Sequence, residues 1–197
     1  MVHKRSSLQE SPQVDTILRA IMEGTAKGHG EHVFRTLVQF LAVSLSVKAA
    51  FIAKIGHDFT EARTLALRDW LNLSRQDFYN ESLVAIVPSG FCFPGSGKNG
   101  DLPPRHECAP LWHERLLKLM PDIKLTLLIG SYAHALYLNA DGKATLTETV
   151  AAWREYLPDY FPLPHPSPRN RPWLTKNTWF EKCLLPELRE RMAILNA

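Results

Sequence analysis

The apolar positions divide the chain into two differently patterned stretches. In the first, Val14, Ile17, Leu18 and Ile21 recur at helical spacing and predict a short amphipathic helix that ends near Gly24. Gly28 and Gly30 mark a break. A second helix is predicted from about Glu31, with Phe34, Leu37, Leu41 and Leu45 on one face and His32 on its surface. Ala49 to Ile55 reads as a strand, Gly56-His57-Asp58 as a turn, and Ala62 to Leu67 as a partner strand completing a hairpin.

At about Leu67 the character changes. Leu67 to Leu73 is predicted as a short helix with Leu67, Trp70 and Leu71 inward. Leu83 to Val87 is an apolar run of strand length, as expected of a buried parallel strand. A long loop rich in Gly and Pro follows, Phe91 to Arg105, and then a helix from Ala109 to Met120. Ile123 to Ile129 is a further strand, closed by Gly130 before a helix from Tyr132 to Leu138. Thr145 with Glu148 has the form of a capping box that opens a helix reaching Tyr156. Phe161 and Leu163 belong to a last short strand, and a long helix is expected to carry the chain to Met192. Strands and helices alternate, so the expected fold class is α/β, a three-layer α/β/α arrangement with a parallel sheet.

Composition narrows the setting. A net charge of +3 permits nucleic-acid binding without requiring it. Three cysteines, with no signal peptide read at the start, point to a reducing compartment. The longest apolar run, Leu37 to Val47, holds Gln39, Ser44 and Ser46 and is too short to cross a bilayer. A soluble cytoplasmic protein with no membrane partner is expected.

The densest candidate chemistry lies in FPLPHPSPRNRPWLTKNTWF, from Phe161 to Phe180. Pro164, Pro166 and Pro168 each lock φ and push the preceding residue out of the helical region. His165 and Ser167 are therefore held extended where a strand ends. Arg169 and Asn170 follow, then a basic, tryptophan-bearing approach to the helix through Arg171, Trp173, Lys176 and Trp179. From the residues alone, a ligand-facing turn and a solvated surface turn are equally open. PGSGKNG, from Pro94 to Gly100, is not a phosphate loop. Cys92 stands where that pattern needs its first glycine, and Asn99 where it needs Ser or Thr.

HPSPRN, His165 to Asn170, resembles the C-terminal motif of the uracil-DNA glycosylase superfamily, most closely that of the single-strand-selective monofunctional branch. The stretch from LRDWL to SYAHALYL is similar to the same superfamily, so the likeness covers residues 67–197. It implies the three-layer fold and hydrolysis of the N-glycosidic bond of a uracil flipped out of DNA, in base-excision repair. It makes His165 the group bonded to the departing base, and Pro166 and Ser167 the residues pressed on the backbone. Arg169 would enter the space left by the base, with Asn170, Arg171, Lys176 and Lys98 as further DNA contacts.

The superfamily's first motif, of the GQ-x-P-G or GMNPG kind, does not occur here. Gly56-His57-Asp58 stands in roughly its order, where Asp58 is either a water-positioning residue or a turn residue. The asparagine that reads uracil in many relatives aligns near Pro88. Both departures imply an impaired enzyme. Cys92 and Cys108 are spaced like the second cysteine pair of the iron–sulfur branches. A cluster needs four thiolates, and Cys183 reads as a core thiol, so neither a metal nor another cofactor is expected.

Residues 14–67 resemble the opening of a GAF sensory domain. The expected organisation is thus a flexible N-terminus over 1–13, a GAF-like fragment over 14–66 and a glycosylase-like domain over 67–197. Uracil-containing DNA is the expected partner, together with self-association through the N-terminal helices. The competing readings are a non-catalytic DNA-binding remnant and a GAF-type interaction or sensory module.

Overall fold

The apolar runs align side by side as parallel strands. The computed structural model describes residues 49–53, 61–91, 94–98, 100–138 and 142–196, all within one compact unit, Leu45–Ala197. Strands β1 (Ala49–Ala53), β2 (Val84–Pro88), β3 (Leu125–Ile129) and β4 (Tyr160–Leu163) form a sheet in the order β2-β1-β3-β4. Every pairing is parallel, and Pro88, Ala53, Ile129 and Leu163 share one row at the carboxyl edge. The chain runs outward from β1 to β2, then returns past β1 to β3. The β1–β3 boundary is therefore the topological switch point, where open parallel sheets leave a ligand crevice beyond their carboxyl ends.

Alternation along the strands sends side chains to two separate cores. Leu125, Leu127, Ile129, Phe161 and Leu163 face one side. There they meet Leu67, Trp70 and Leu71 of α1 (Glu61–Leu71), Val150 of α5 (Leu146–Ala151) and Leu188 and Met192 of α7 (Leu185–Asn196). Leu128 faces the other side, with Val87, Met120, Ala133 and Leu138. That side is covered by α3 (Cys108–Lys118) and α4 (Ser131–Tyr137). Helix α2 (Arg75–Phe78) and α6 (Arg171–Lys176) are short connectors. Three layers result, as the alternation predicts, and β3 is buried along its whole length.

Particular contacts lock the layers. Trp153 stacks on Phe161 with ring centroids 4.9 Å apart, and Trp70 meets Phe180 edge-on at 5.0 Å. Arg189 donates to the Asp69 and Trp70 carbonyls at 2.9 and 3.2 Å, satisfying acceptors at the end of α1. The capping box at Thr145 and Glu148 is present, with both reciprocal bonds formed.

Three local expectations change. Ala62 to Leu67 is not a strand but the first part of α1. Glu, Ala, Arg and Leu are good helix formers, and Thr64, Leu67 and Leu71 make one buried face at helical spacing. The single long helix before Met192 is broken. Asn177 ends α6, its N–H and Nδ2 both donating to the Trp173 carbonyl at 2.9 Å, and a π turn, Phe180–Leu184, opens the next segment. That wide turn contains Lys182, whose carbonyl lies four residues before Pro186, where a proline ring clashes in an ordinary α-helix. Cys183, expected in the core, is exposed, because the wide turn carries it away from the side on which Phe180 and Leu184 are buried. The N-terminal helices read over 14–45 lie outside the described residues.

Candidate nucleic-acid site

Strand β4 delivers the HPSPRN turn to the carboxyl edge of the sheet. Pro162, Leu163 and Pro164 are buried, and so is Pro166, while His165 and Ser167 are half-buried. The turn is built on the His165 carbonyl, which accepts the Ser167 N–H and Asn170 Nδ2–H, each at 2.7 Å. The first bond closes a three-residue turn centred on Pro166, whose fixed φ suits it. Ser167 then caps a 3-10 turn, Pro168–Asn170, its Oγ accepting the Arg169 N–H at 3.3 Å. Asn170 thus holds the turn closed through its side chain.

Gly130, at the end of β3, is what lets His165 come close. Its φ of +85° and ψ of 167° belong to a region essentially reserved for glycine. A Cβ there would lie 3.2 Å from the His165 Cβ and 3.6 Å from its Cδ2. The Gly130 N–H donates to the Leu163 carbonyl at 2.8 Å, extending the β3–β4 ladder one step beyond the strands. Beneath it, the buried His134 of α4 donates from Nε2 to the Leu128 carbonyl at 3.0 Å.

The other predicted positions are spread around this centre. Arg169, Arg171 and Lys176 are exposed on the segment just after the turn. Trp173 and Trp179 are half-buried fasteners rather than a stacking surface. They meet edge-on at 5.8 Å, and Trp173 Nε1 donates to Thr147 Oγ1 at 2.8 Å. Lys98 is exposed at the turn of a small antiparallel ribbon, Ser96–Gly97 with Gly100–Asp101, a different geometry from the strand-to-helix turn of a phosphate loop. Cys108 is a half-buried free thiol at the start of α3. Asp58 and Cys92 lie outside the described residues. Among the described residues, no three His, Cys, Asp or Glu side chains come together as metal ligands.

Sequence reasoning missed a buried polar pair on the α3–α4 side. His113 Nδ1 lies 2.7 Å from Tyr137 Oη, and Nε2 lies 3.0 Å from the Pro88 carbonyl. A carbonyl only accepts, so Nε2 carries the proton and Nδ1 accepts from the phenol. Burial pushes the Tyr137 phenol up, with Tyr160 adding to it, so the phenol keeps its proton. An apolar-walled cleft of about 530 Å³ opens beside the pair, bordered by Leu117, Leu136 and Tyr160. The one signal in the sequence was a histidine at i+4 from Ala109 on the inward face of a helix.

Burial holds both His113 and His134 below the ordinary histidine range, against the upward pull of the carbonyls they bond. Unfolded histidines titrate near ~6.5, so below that value the unfolded chain binds more protons than the folded one. The stability from the neutral rings is complete above about pH 6.5 and is lost as pH falls toward the lowered folded values. Thermal melts from about pH 7.5 to about pH 5 should show a falling Tm, with a shallower slope in His134→Gln. Equal slopes would assign the acid sensitivity to other groups.

The chain is thus a parallel three-layer α/β protein with a proline-fixed His/Ser/Arg/Asn turn at the carboxyl edge of its sheet. The family model for the uracil DNA glycosylase superfamily matches residues 48–189, well over half of the chain, and the chain belongs to that superfamily. The match takes in β1, which the structure places in the interior of the sheet between β2 and β3. Among the described residues, no helix is long and apolar enough to cross a membrane.

Proposed function

We propose that the chain is a uracil-DNA glycosylase-like protein of base-excision repair, hydrolysing the N-glycosidic bond of a flipped uracil with reduced efficiency. The observation that carries this reading is the position of His165. It stands fixed where β4 ends, beside the switch point, with Gly130 opening the approach. Bond cleavage builds cationic character on the sugar and negative charge on the departing base. A hydrogen bond from His165 to the base carbonyl strengthens as that charge grows and so acts on the transition state more than on the ground state. Ser167, whose Oγ already accepts the Arg169 N–H, keeps its own hydroxyl proton to donate to a phosphate. Arg169 fills the vacated stack, and Arg171, Lys176 and Lys98 supply sequence-independent phosphate attraction.

The absence of the superfamily's first motif favours one rival, a non-catalytic DNA-binding remnant that keeps the arginine and the basic segment. Uracil release from a single-stranded oligonucleotide with one uracil decides between them. Measurable release supports the glycosylase reading, and salt-sensitive binding with no release supports the remnant. Asp58 is the residue proposed to position water, and its substitution follows if release is seen.

A further inference from the structure

His113 makes contacts that the glycosylase motif does not use. From α3 it reaches across to the carboxyl end of β2, donating to the Pro88 carbonyl, while Tyr137 of α4 fixes its other nitrogen. Phe91 lies edge-on to the same imidazole, with centroids 5.8 Å apart. From the other direction Pro104 crowds Gly90, where a Cβ would sit 3.3 Å from the Pro104 Cβ. The segment Pro88–Phe91 is therefore gripped both by α3 and by the loop before it.

That segment leaves the sheet at its carboxyl edge, the edge on which open parallel sheets bind ligands. Pro88 and Leu163 close the same row of the sheet at opposite edges, three strand spacings or about 14 Å apart. Ser89 is the first residue beyond Pro88, and His165 the second beyond Leu163. Ser89 is 1% exposed, and its buried hydroxyl has no partner among the described residues. A buried hydroxyl in that condition is costly, and a polar ligand group removes the cost.

We infer that His113 is a positioning residue, holding the β2 end so that the segment carrying Ser89 keeps its spacing from His165 along the carboxyl edge. The grip stands on the hydrogen bonds alone. Its consequence for base release rests on the glycosylase reading. A histidine that only filled the core would, on removal, loosen the sheet as a whole.

Two variants of the full chain test it: His113→Phe, which keeps a ring and loses both bonds, and Tyr137→Phe, which removes only the phenol hydroxyl. Amide hydrogen exchange is read at Ser89, Gly90 and Phe91 against Leu188 and Met192 of α7. Uracil release from the single-stranded oligonucleotide is read beside it. His113→Phe is expected to speed exchange at the three β2-end amides by about tenfold more than in α7, and to lower kcat about tenfold with little change in KM. Tyr137→Phe should give a smaller local increase, and it carries the test by itself if His113→Phe does not fold. Exchange that rises equally in both places makes His113 core filling and overturns the inference. So does a local rise with kcat unchanged. A local rise in a protein whose wild type releases no uracil supports the grip and overturns the glycosylase reading instead.

Discussion

Replacing His165 with alanine is expected to lower uracil release by about 10²–10³, the loss seen when one donor to a developing anion is removed. DNA affinity should hardly change, because phosphate contacts supply most of it and these come from other side chains. The fold should tolerate the substitution. What builds the turn is the His165 carbonyl, accepting from Ser167 and Asn170, and alanine keeps that carbonyl. The imidazole is only half-buried and leaves no deep cavity. Single-turnover release from a uracil oligonucleotide, with fluorescence anisotropy for binding, separates the two quantities. Release that survives in His165→Ala would remove this residue from the chemistry and point to the segment after β1. Loss of release together with loss of binding would mean that the turn itself had collapsed.

Much of the fold was legible because its determinants are local. Leu83–Val87 is a continuous apolar run and Ile123–Ile129 is interrupted only by Lys124 and Thr126, and each holds a strand of the sheet that helices cover on both faces. The capping box at Thr145 was legible for the same reason, since four residues contain the whole device. The order of the strands was not. That β1 lies between β2 and β3 depends on contacts between residues far apart in the chain, which no periodicity encodes. This also explains the Leu67 boundary drawn from the pattern. The change of character there marks a turn in composition, whereas the family match already begins at residue 48. The α1 error has another cause: Ala62, Thr64 and Ala66 alternate over too short a window to separate a strand from a helix.

The site divides in the same way. The HPSPRN turn could be read from the sequence because three prolines act on their own neighbours. Its fastening by Asn170 could not, since a polar residue in a basic segment reads as a DNA contact until its Nδ2 is seen on the His165 carbonyl. His113, His134 and Tyr137 were invisible for a further reason. Helical spacing locates a buried face, but only the packed structure shows which strand carbonyl a histidine on that face will meet.

Gly130 illustrates this limit and makes the sharpest structural prediction. It was legible as the residue that closes a strand, yet its demands come from two directions at once. Its backbone lies where only glycine is comfortable, so Gly130→Ala should lose about 1–3 kcal/mol from conformation alone. The new methyl would also press on His165 at 3.2 Å, tighter than ordinary van der Waals contact. His165 must then shift away from the position proposed to meet the base. Gly130→Ala should therefore lower both Tm and uracil release. The double variant with His165→Gly separates the causes, because it relieves the contact and leaves the backbone demand. The cost of Gly130→Ala should be smaller in that background, with a coupling of about 0.5–3 kcal/mol for residues in contact. Additive costs would mean that Gly130 serves only the end of β3. Coupled costs would mean that the strand end and the histidine are one device, in which β3 stops on a glycine so that β4 can place an imidazole beside the switch point.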